Sequence, residues 1–380
     1  MQRGRSGRLN PVVARARRAV ARSVEPLLAG AGEEGSGAAP LILVACSGGA
    51  DSLALAAATA HLQRRGKARV GAVVVDHQLQ EGSAEVAART ACLLRDLGLD
   101  PVAVERVDVR RAGTGPEMAA RLARYEALRS VALRTGAVAV LLGHTRDDQS
   151  ETVLLGLTRG SGTRSLSGMP GRLVRDGVRY LRPLLNVTRA ETETVCAAEG
   201  LEPWHDPTNG DTALTRSRIR HEVLPYLEAQ LGPGVCRALA RTASVLGADA
   251  DYLDEQAAAA YDAALVAPSG RGAEPRSARA ASSSVVLDGA ALQETPAALR
   301  RRVLARACVA AGGETPTFER LGALEDFALG HGAAGPVQMA GKVTAWRHRA
   351  DAAHARGRLE LRSGRAPQET TTQNNPGSAQ

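Results

Sequence analysis

Two stretches of the 380-residue sequence hold side chains whose types and spacing could do chemistry. The first is Ser47-Gly48-Gly49-Ala50-Asp51-Ser52. It follows the apolar run Leu41–Cys46, which reads as a fully buried strand, and precedes Leu53–His61, which is rich in good helix formers. A strand, a glycine turn and a helix form a phosphate cradle, because backbone N–H groups and the positive end of the helix dipole converge on an anion. The hydroxyls of Ser47 and Ser52 can add donors. The plainer alternative is an ordinary Gly-Gly turn. The only lysines are Lys67 and Lys342, so no GxxxxGK[ST] loop exists, and there is no GxGxxG either. The second stretch is Gly143-His144-Thr145-Arg146-Asp147-Asp148-Gln149-Ser150-Glu151-Thr152. On a helix starting there, Asp148 and Glu151 are i,i+3 and Asp147 and Glu151 are i,i+4, so carboxylates share one face near the N-terminus. Dipole stabilisation by first-turn acids, worth ~0.3–1 kcal/mol, would explain the Asp pair but not the histidine before it.

The elements that must position these residues alternate. Strands are predicted over 41–46, 70–75, 101–107 and 137–142, and helices over 52–64, 83–97, 116–135 and 147–158. Repeated βα units of this length imply an α/β domain with a doubly wound parallel sheet. Ligands of such sheets sit outside the carboxyl ends of the strands. That rule selects Ser47–Ser52, Asp76–His77 and Gly143–Asp148.

Before this domain, Val13, Ala16, Val20, Val24 and Leu27 recur at helical spacing, and residues 29–39 read as a flexible linker. After it, the Gly-, Ser- and Arg-rich stretch 160–182 is expected to be a long loop. Thr188 and Glu191 form a capping box that opens a helix to Ala198, and residues 235–265 form a long Ala-rich helix. Residues 266–284 have a low-complexity composition expected to be disordered. A second, smaller α+β unit follows over about 285–362: a short strand, helices 297–311 and 317–329, and strand-like segments near 335–346 and 358–362. The end of the chain is a polar tail.

A net charge of +8 invites a nucleic-acid reading, but residues 1–30 alone hold seven arginines against one glutamate. The remaining 350 residues are nearly balanced at +2, so bulk charge says little about RNA. Cysteines 46, 92, 196, 236 and 308 are far apart with no CxxC, which argues against a zinc ribbon, an iron–sulfur cluster or a disulfide framework and fits a cytoplasmic setting. Neither a signal peptide nor a membrane span is expected.

SGGxDS resembles the loop of the PP-loop ATP pyrophosphatases, which cleave ATP to AMP and pyrophosphate. With GHxxDDxxET about a hundred residues later, the chain is similar to the tRNA(Ile)-lysidine synthetase family. Four further motifs fall in order: Asp76-His77-Gln78-Leu79 (DHxL), Ala120–Tyr125 (ARxxRY), Trp204-His205-Asp206-Pro207-Thr208-Asn209 (WxDP[ST]N) and Arg216-Ser217-Arg218-Ile219-Arg220 (RNRIR). The match covers roughly residues 40–225. Gln80 stands where the family usually has Arg, and Ser217 where it has Asn.

The chain is expected to divide into a basic arm, amphipathic helix and linker over 1–36, a domain over 37–225 that the resemblance makes a Rossmann-like PP-loop ATP-binding catalytic domain, and a helical segment over 226–265. Composition adds a disordered insert over 266–284 and a disordered tail over 364–380, and the resemblance makes 285–363 a tRNA-binding domain. The implied reaction joins L-lysine to C2 of cytidine 34 in the CAU anticodon of tRNA(Ile), after ATP has adenylated the C2 oxygen. Ser47, Gly48, Gly49, Ala50, Asp51, Ser52, Asp76 and His77 would bind ATP, with Asp51 a ligand of Mg²⁺. Arg124, Asp148 and Glu151 would bind lysine, with His144 orienting it or accepting a proton, and Asp51 completes the catalytic set. The roles of Arg124, His144, Asp148 and Glu151 are exchangeable among these four. Arg216, Arg218 and Arg220 would meet tRNA, although a solvated helix face is the simpler reading of Arg216 and Arg220. A homodimer is left open. The rivals are a tRNA thiolase, disfavoured by the absent CxxC, an amidating synthetase, for which no glutaminase domain is evident, and a non-catalytic tRNA-binding protein.

The basic arm is dense in charge and is expected to lack structure that would position it. Deleting residues 1–10 should therefore leave catalysis intact and weaken tRNA attraction only at low salt. An equal loss of turnover at about 50 mM and about 300 mM salt would instead give the arm a positional role.

Overall fold

The computed structural model describes residues 9–30, 39–78, 80, 82–109, 115–160, 162–266, 284–332 and 335–363. The expected arm at 1–8, most of the linker, Leu79, the insert at 267–283 and the tail from 364 lie outside these residues. The chain divides into two compact units, Met1–Gly247 and Ala248–Gln380.

The first unit runs α1 (Pro11–Gly30), β1 (Leu41–Ala45), α2 (Ala50–Arg64), β2 (Arg69–Asp76), α3 (Ser83–Asp96), β3 (Val102–Arg106), α4 (Pro116–Thr135), β4 (Ala139–Leu142) and α5 (Arg146–Thr158). It continues with α6 (Thr163–Leu166), β5 (Arg172–Arg175), β6 (Val178–Leu181), α7 (Arg189–Glu199), α8 (Thr215–Arg218), a π turn (Ile219–Val223) and α9 (Leu224–Leu231). The helix α10 (Val235–Ala264) carries the chain into the second unit. The sheet order is β3-β2-β1-β4-β6-β5, parallel except at the β5 edge.

The period-2 alternation of β1 explains how helices cover both faces. Ile42 and Val44 point into a core with α1, α2, α3 and α7, where Val20, Leu53, Leu94 and Val195 are fully buried. Leu41 and Leu43 point the other way, against Leu128 and Val131 of α4 and Tyr180 of β6. Each such side chain contributes about 1.5–3 kcal/mol on burial. The predicted amphipathic helix is α1, whose Arg15 and Arg17 pair with Glu191 and Glu199 of α7 at 2.6 and 2.7 Å.

The stretch 160–182 is not a long loop. It holds α6 and the β5–β6 hairpin, which extends the sheet beyond β4. The hairpin turns on Asp176-Gly177, with φ of 49° and 79°. Asp-Gly between alternating residues suits a two-residue turn that matches the twist of the flanking strands. Arg172, Arg175, Arg179 and Arg182 interrupt the apolar residues and hide this pattern from a reading by composition.

The second unit is a four-stranded antiparallel sheet in the order β7 (Ser284–Asp288), β10 (Arg358–Ser363), β9 (Val343–His348) and β8 (Val337–Met339). With α11 (Gly289–Glu294), α12 (Ala297–Ala310) and α13 (Phe318–Ala328) it encloses a core that includes Leu287, Leu304, Val343 and Leu361. The strand-like segment expected near 335–346 is two strands, broken by a turn where Gly341 and Lys342 both have positive φ. Among the described residues, no helix is long and apolar enough to cross a membrane.

Candidate active site

The order of β3, β2, β1 and β4 reverses at β1, so the exits of β1 and β4 lie side by side at a topological switch point. Gly143 at the end of β4 packs directly on the backbone of α2: a Cβ there would lie 3.0 Å from the Ser52 Cα and 3.1 Å from the Asp51 carbonyl carbon. The second motif thus abuts the first. Between them lies a cavity of about 490 Å³, and Ser47, Gly49, Ala50, Asp51, Ser52, His77, Arg124, His144, Asp148 and Arg220 all line it.

The cradle is built by its own side chains. Ser52 is buried; its Oγ accepts from the Ser47 N–H at 3.2 Å and donates to the Gly49 carbonyl at 2.9 Å. Gly49 caps α2 without a side-chain bond, so the first-turn amides are left for a ligand. Gly48 has φ +86°, and a Cβ there would sit 2.5 Å from the Thr90 hydroxyl oxygen. Its carbonyl accepts the Trp204 N–H at 2.9 Å, which ties the segment Trp204–Asn209 to the loop. A second cavity of about 180 Å³ adjoins, lined by Ser47, Asp76, His77, Gln80, Trp204 and Asp206 among others. Asp76 is buried there and caps its own turn by accepting the Gln78 N–H at 3.0 Å. Burial, followed by the charge of Arg124, pushes His77 down.

The acids are not free. Asp51 accepts the Thr192 hydroxyl on one oxygen and Arg189 Nε at 3.4 Å on the other. Burial raises its carboxyl above the ordinary value, with Thr192 and Arg189 opposing. Asp148 accepts the Thr145 N–H at 2.8 Å on Oδ2, closing a capping box, while Oδ1 takes Arg189 at 3.2 Å and Arg220 at 3.3 Å. Burial alone would push Asp148 up; the Thr145 amide, Arg189, His144 and Arg220 outweigh it and hold the carboxyl low. It is therefore both the helix cap and part of the cavity wall. Glu151 has no exposed surface and is absent from that wall. Arg220 grips both its oxygens, at 2.7 and 3.2 Å, and Arg216 Nε lies 3.4 Å away. Arg216 and Arg220 thus face inward to carboxylates, whereas Arg218 is exposed.

Arg124 is half-buried, its buried Nε has no hydrogen-bond partner, and burial pulls its guanidinium down. His144 lines the cavity, and its Nδ1 accepts Arg182 Nε at 3.2 Å. Arg182, Arg189 and Thr192 escape a reading of the sequence. The one available signal was the capping box at Thr188 and Glu191, which fixes a helix start and so places Arg189 in the first turn of α7. Ser217 donates to the Asn209 carbonyl at 2.8 Å, a role open to any small donor.

Among the described residues no three His, Cys, Asp or Glu side chains cluster to hold a metal by themselves. Asp51, beside the cradle, suits Mg²⁺, which binds through one or two carboxylates and takes its remaining ligands from substrate phosphates and water.

Comparison with known proteins agrees with this geometry. A PP-loop domain matches residues 19–227, and a TilS substrate binding domain matches residues 287–359. The chain is 52% identical over 302 residues to the tRNA(Ile)-lysidine synthase of Thermobifida fusca, covering 80% of this chain and 84% of that one. It is 48% identical over 328 residues to the enzyme of the same name from Streptomyces coelicolor, covering 86% of each. The solved U34-tRNA thiolase NcsA from Methanococcus maripaludis is 15% identical with a TM-score of 0.49, covering 62% of this chain and 79% of that one, a likeness too distant to bear on the chemistry.

Gly48→Ala is expected to strain a left-handed position and force Thr90 aside, opening the cradle while leaving the buried strand below it intact. ATP cleavage should fall by at least tenfold with little change in the unfolding transition. Normal ATP cleavage by the variant would show that the turn does not hold phosphate.

Proposed function

The chain belongs to the tRNA(Ile)-lysidine synthase family, and from that premise we propose how its residues divide the work. The enzyme is an ATP-using ligase that forms a C–N bond, joining lysine to the anticodon of tRNA(Ile). In the reading favoured here, the C2 oxygen of cytidine 34 attacks the α-phosphorus of ATP and pyrophosphate departs. The ε-amine of L-lysine then attacks C2, and AMP leaves with the oxygen. The observation that carries this reading is the meeting of a phosphate cradle and an alternating set of acids and arginines around one cavity.

The open amides of α2 and the hydroxyl of Ser47 receive the departing pyrophosphate. Asp51 would hold Mg²⁺, whose chemistry is to neutralise charge on the phosphate oxygens. The base and ribose occupy the side of His77 and Asp76. Lysine brings a carboxylate and two ammonium groups. Arg124, with its unpaired buried Nε, suits the carboxylate, and Asp148, held as an anion, suits an ammonium. The amine must shed a proton before attack, and a carboxylate of the cavity wall is the acceptor. Glu151 acts on lysine through Arg220, which it holds against Asp148. Arg218 is the arginine of its segment best placed to meet tRNA phosphate. The CAU anticodon is the expected target.

Mass analysis of tRNA(Ile) treated with the purified enzyme, ATP and lysine tests the reading. A lysine adduct on cytidine is expected; pyrophosphate release without any adduct would assign the cavity to another acceptor.

Asp51→Ala should abolish ATP cleavage in a folded protein, because Asp51 lies in the loop and not in the core. Wild-type release of AMP by that variant would remove Asp51 from the mechanism.

Glu151→Gln should spare tRNA adenylation, seen as pyrophosphate release, since Arg220 keeps Asp148 and the cradle is untouched. A lost charge-assisted hydrogen bond is worth ~1.5–3 kcal/mol, so the lysine concentration needed should rise roughly ten- to a hundredfold. Equal loss of both half-reactions would place Glu151 with ATP instead.

A further inference from the structure

Arg182 stands at the end of β6, almost fully buried, and each of its nitrogens has a partner. Nη1 donates to the Pro170 carbonyl at 2.7 Å, Nη2 to the Tyr125 hydroxyl at 3.1 Å, and Nε to Nδ1 of His144 at 3.2 Å. A guanidinium has donors and no acceptor, so the ring nitrogen facing it must carry a lone pair. The proton of a neutral imidazole is then on Nε2. Among the described residues Nε2 has no hydrogen-bond partner, and the ring forms part of the cavity wall.

We infer that Arg182 is a positioning residue that locks His144 in the neutral Nε2–H tautomer, so that His144 serves the reaction as a hydrogen-bond donor to a substrate oxygen and not as a base. The inference rests on the cavity being the reaction site, but the tautomer itself does not depend on which reaction takes place there. A donor of this kind suits the two oxygens on which charge changes, the cytidine C2 oxygen and the phosphate it attacks. It also removes His144 from the set of acceptors for the amine proton, leaving that task to carboxylate.

The surroundings agree. Burial, then the charge of Arg182, hold His144 down at about 3. Asp148 of α5 opposes this, while Arg124 and Arg121 of α4 add to it. A second nitrogen proton would have to share its place with the Arg182 Nε–H, and no rotation of the fork avoids this while Pro170 and Tyr125 hold the other two arms.

The test is nitrogen-15 spectroscopy of the histidine rings in the full-length enzyme, with His144 assigned by loss of its signals in His144→Gln. The expected result is one neutral Nε2–H form from pH ~5.5 to pH ~8.5, where an ordinary histidine titrates. A neutral Nδ1–H form, or titration within that range, overturns the inference whatever the enzyme's substrate. In Arg182→Met, His144 should begin to titrate, a new acid limb should enter the pH profile of kcat/KM, and kcat should fall ten- to a hundredfold with KM for ATP nearly unchanged. An unaltered pH profile and tautomer in a folded Arg182→Met overturn the role of Arg182. If that variant does not fold, the wild-type spectra decide alone. Between His144 variants, Gln retains a donor and Leu does not, so Gln should keep at least tenfold more activity; equal loss would overturn the donor role.

Discussion

A carboxylate with no exposed surface cannot stay charged unless cations come with it, and Glu151 sets that condition for the whole rim of the sheet. Its partners, Arg220 and Arg216, arrive some seventy residues later in the chain. The helical segment that carries them must therefore dock against α5, and it does so through a π turn at Ile219–Val223, a feature often found where a helix is bent to a functional purpose. The docking is tied further down the chain. Ser217 and His221 both hold the Asn209 carbonyl, at 2.8 and 2.9 Å, and the segment before it reaches the glycine loop through Trp204. Satisfying one buried acid thus fixes the wall opposite the phosphate cradle.

The charges alternate along this wall, Asp51, Arg189, Asp148 and Arg220, and end on Glu151 buried behind it. None of the central members is left bare, so a charged ligand must exchange partners with groups already satisfied. A single charge is disfavoured by such pairing on physical grounds, since a lone ammonium or carboxylate would strand one member of a pair as an uncompensated, partly buried ion. A ligand bearing both signs can replace a cation and an anion at once. On the proposed division of work, lysine meets that condition with its α-carboxylate and α-ammonium, and its selection is a matter of balanced replacement more than of raw attraction.

The alternating elements and the three strand exits were legible because β1, β2 and β4 are uninterrupted apolar runs and because the glycines and acids punctuate their ends. What pairs with the acids was not legible. Arg189 and Arg182 have no periodic or motif signature, and their partners lie 138, 41 and 38 residues away. The inward turn of Arg216 and Arg220 was hidden for the same reason: a helix face of arginines looks solvated until a buried glutamate is placed against it. Local pattern sets the strands and helices, whereas the charge pairing depends on which strand ends the topology brings together.

The departures from the family pattern show which of these contacts depend on charge. Gln80 stands where an arginine is usual, and its Nε2 donates to Asp206 Oδ1 at 3.0 Å. The same oxygen accepts the Thr208 N–H at 2.9 Å and the Thr208 hydroxyl at 2.7 Å. Burial works to raise the Asp206 carboxyl, yet these hydrogen bonds from Gln80 and Thr208 hold it low without a cation. A carboxamide reproduces one N–H of a guanidinium, and one suffices once Thr208 supplies the others. The contact joins the loop after β2 to the segment Trp204–Asn209 across the mouth of the smaller cavity. Its task is to hold two loops together, for which direction matters more than charge. Around Glu151, where burial is complete and both partners are guanidinium groups, the contact is one of charge.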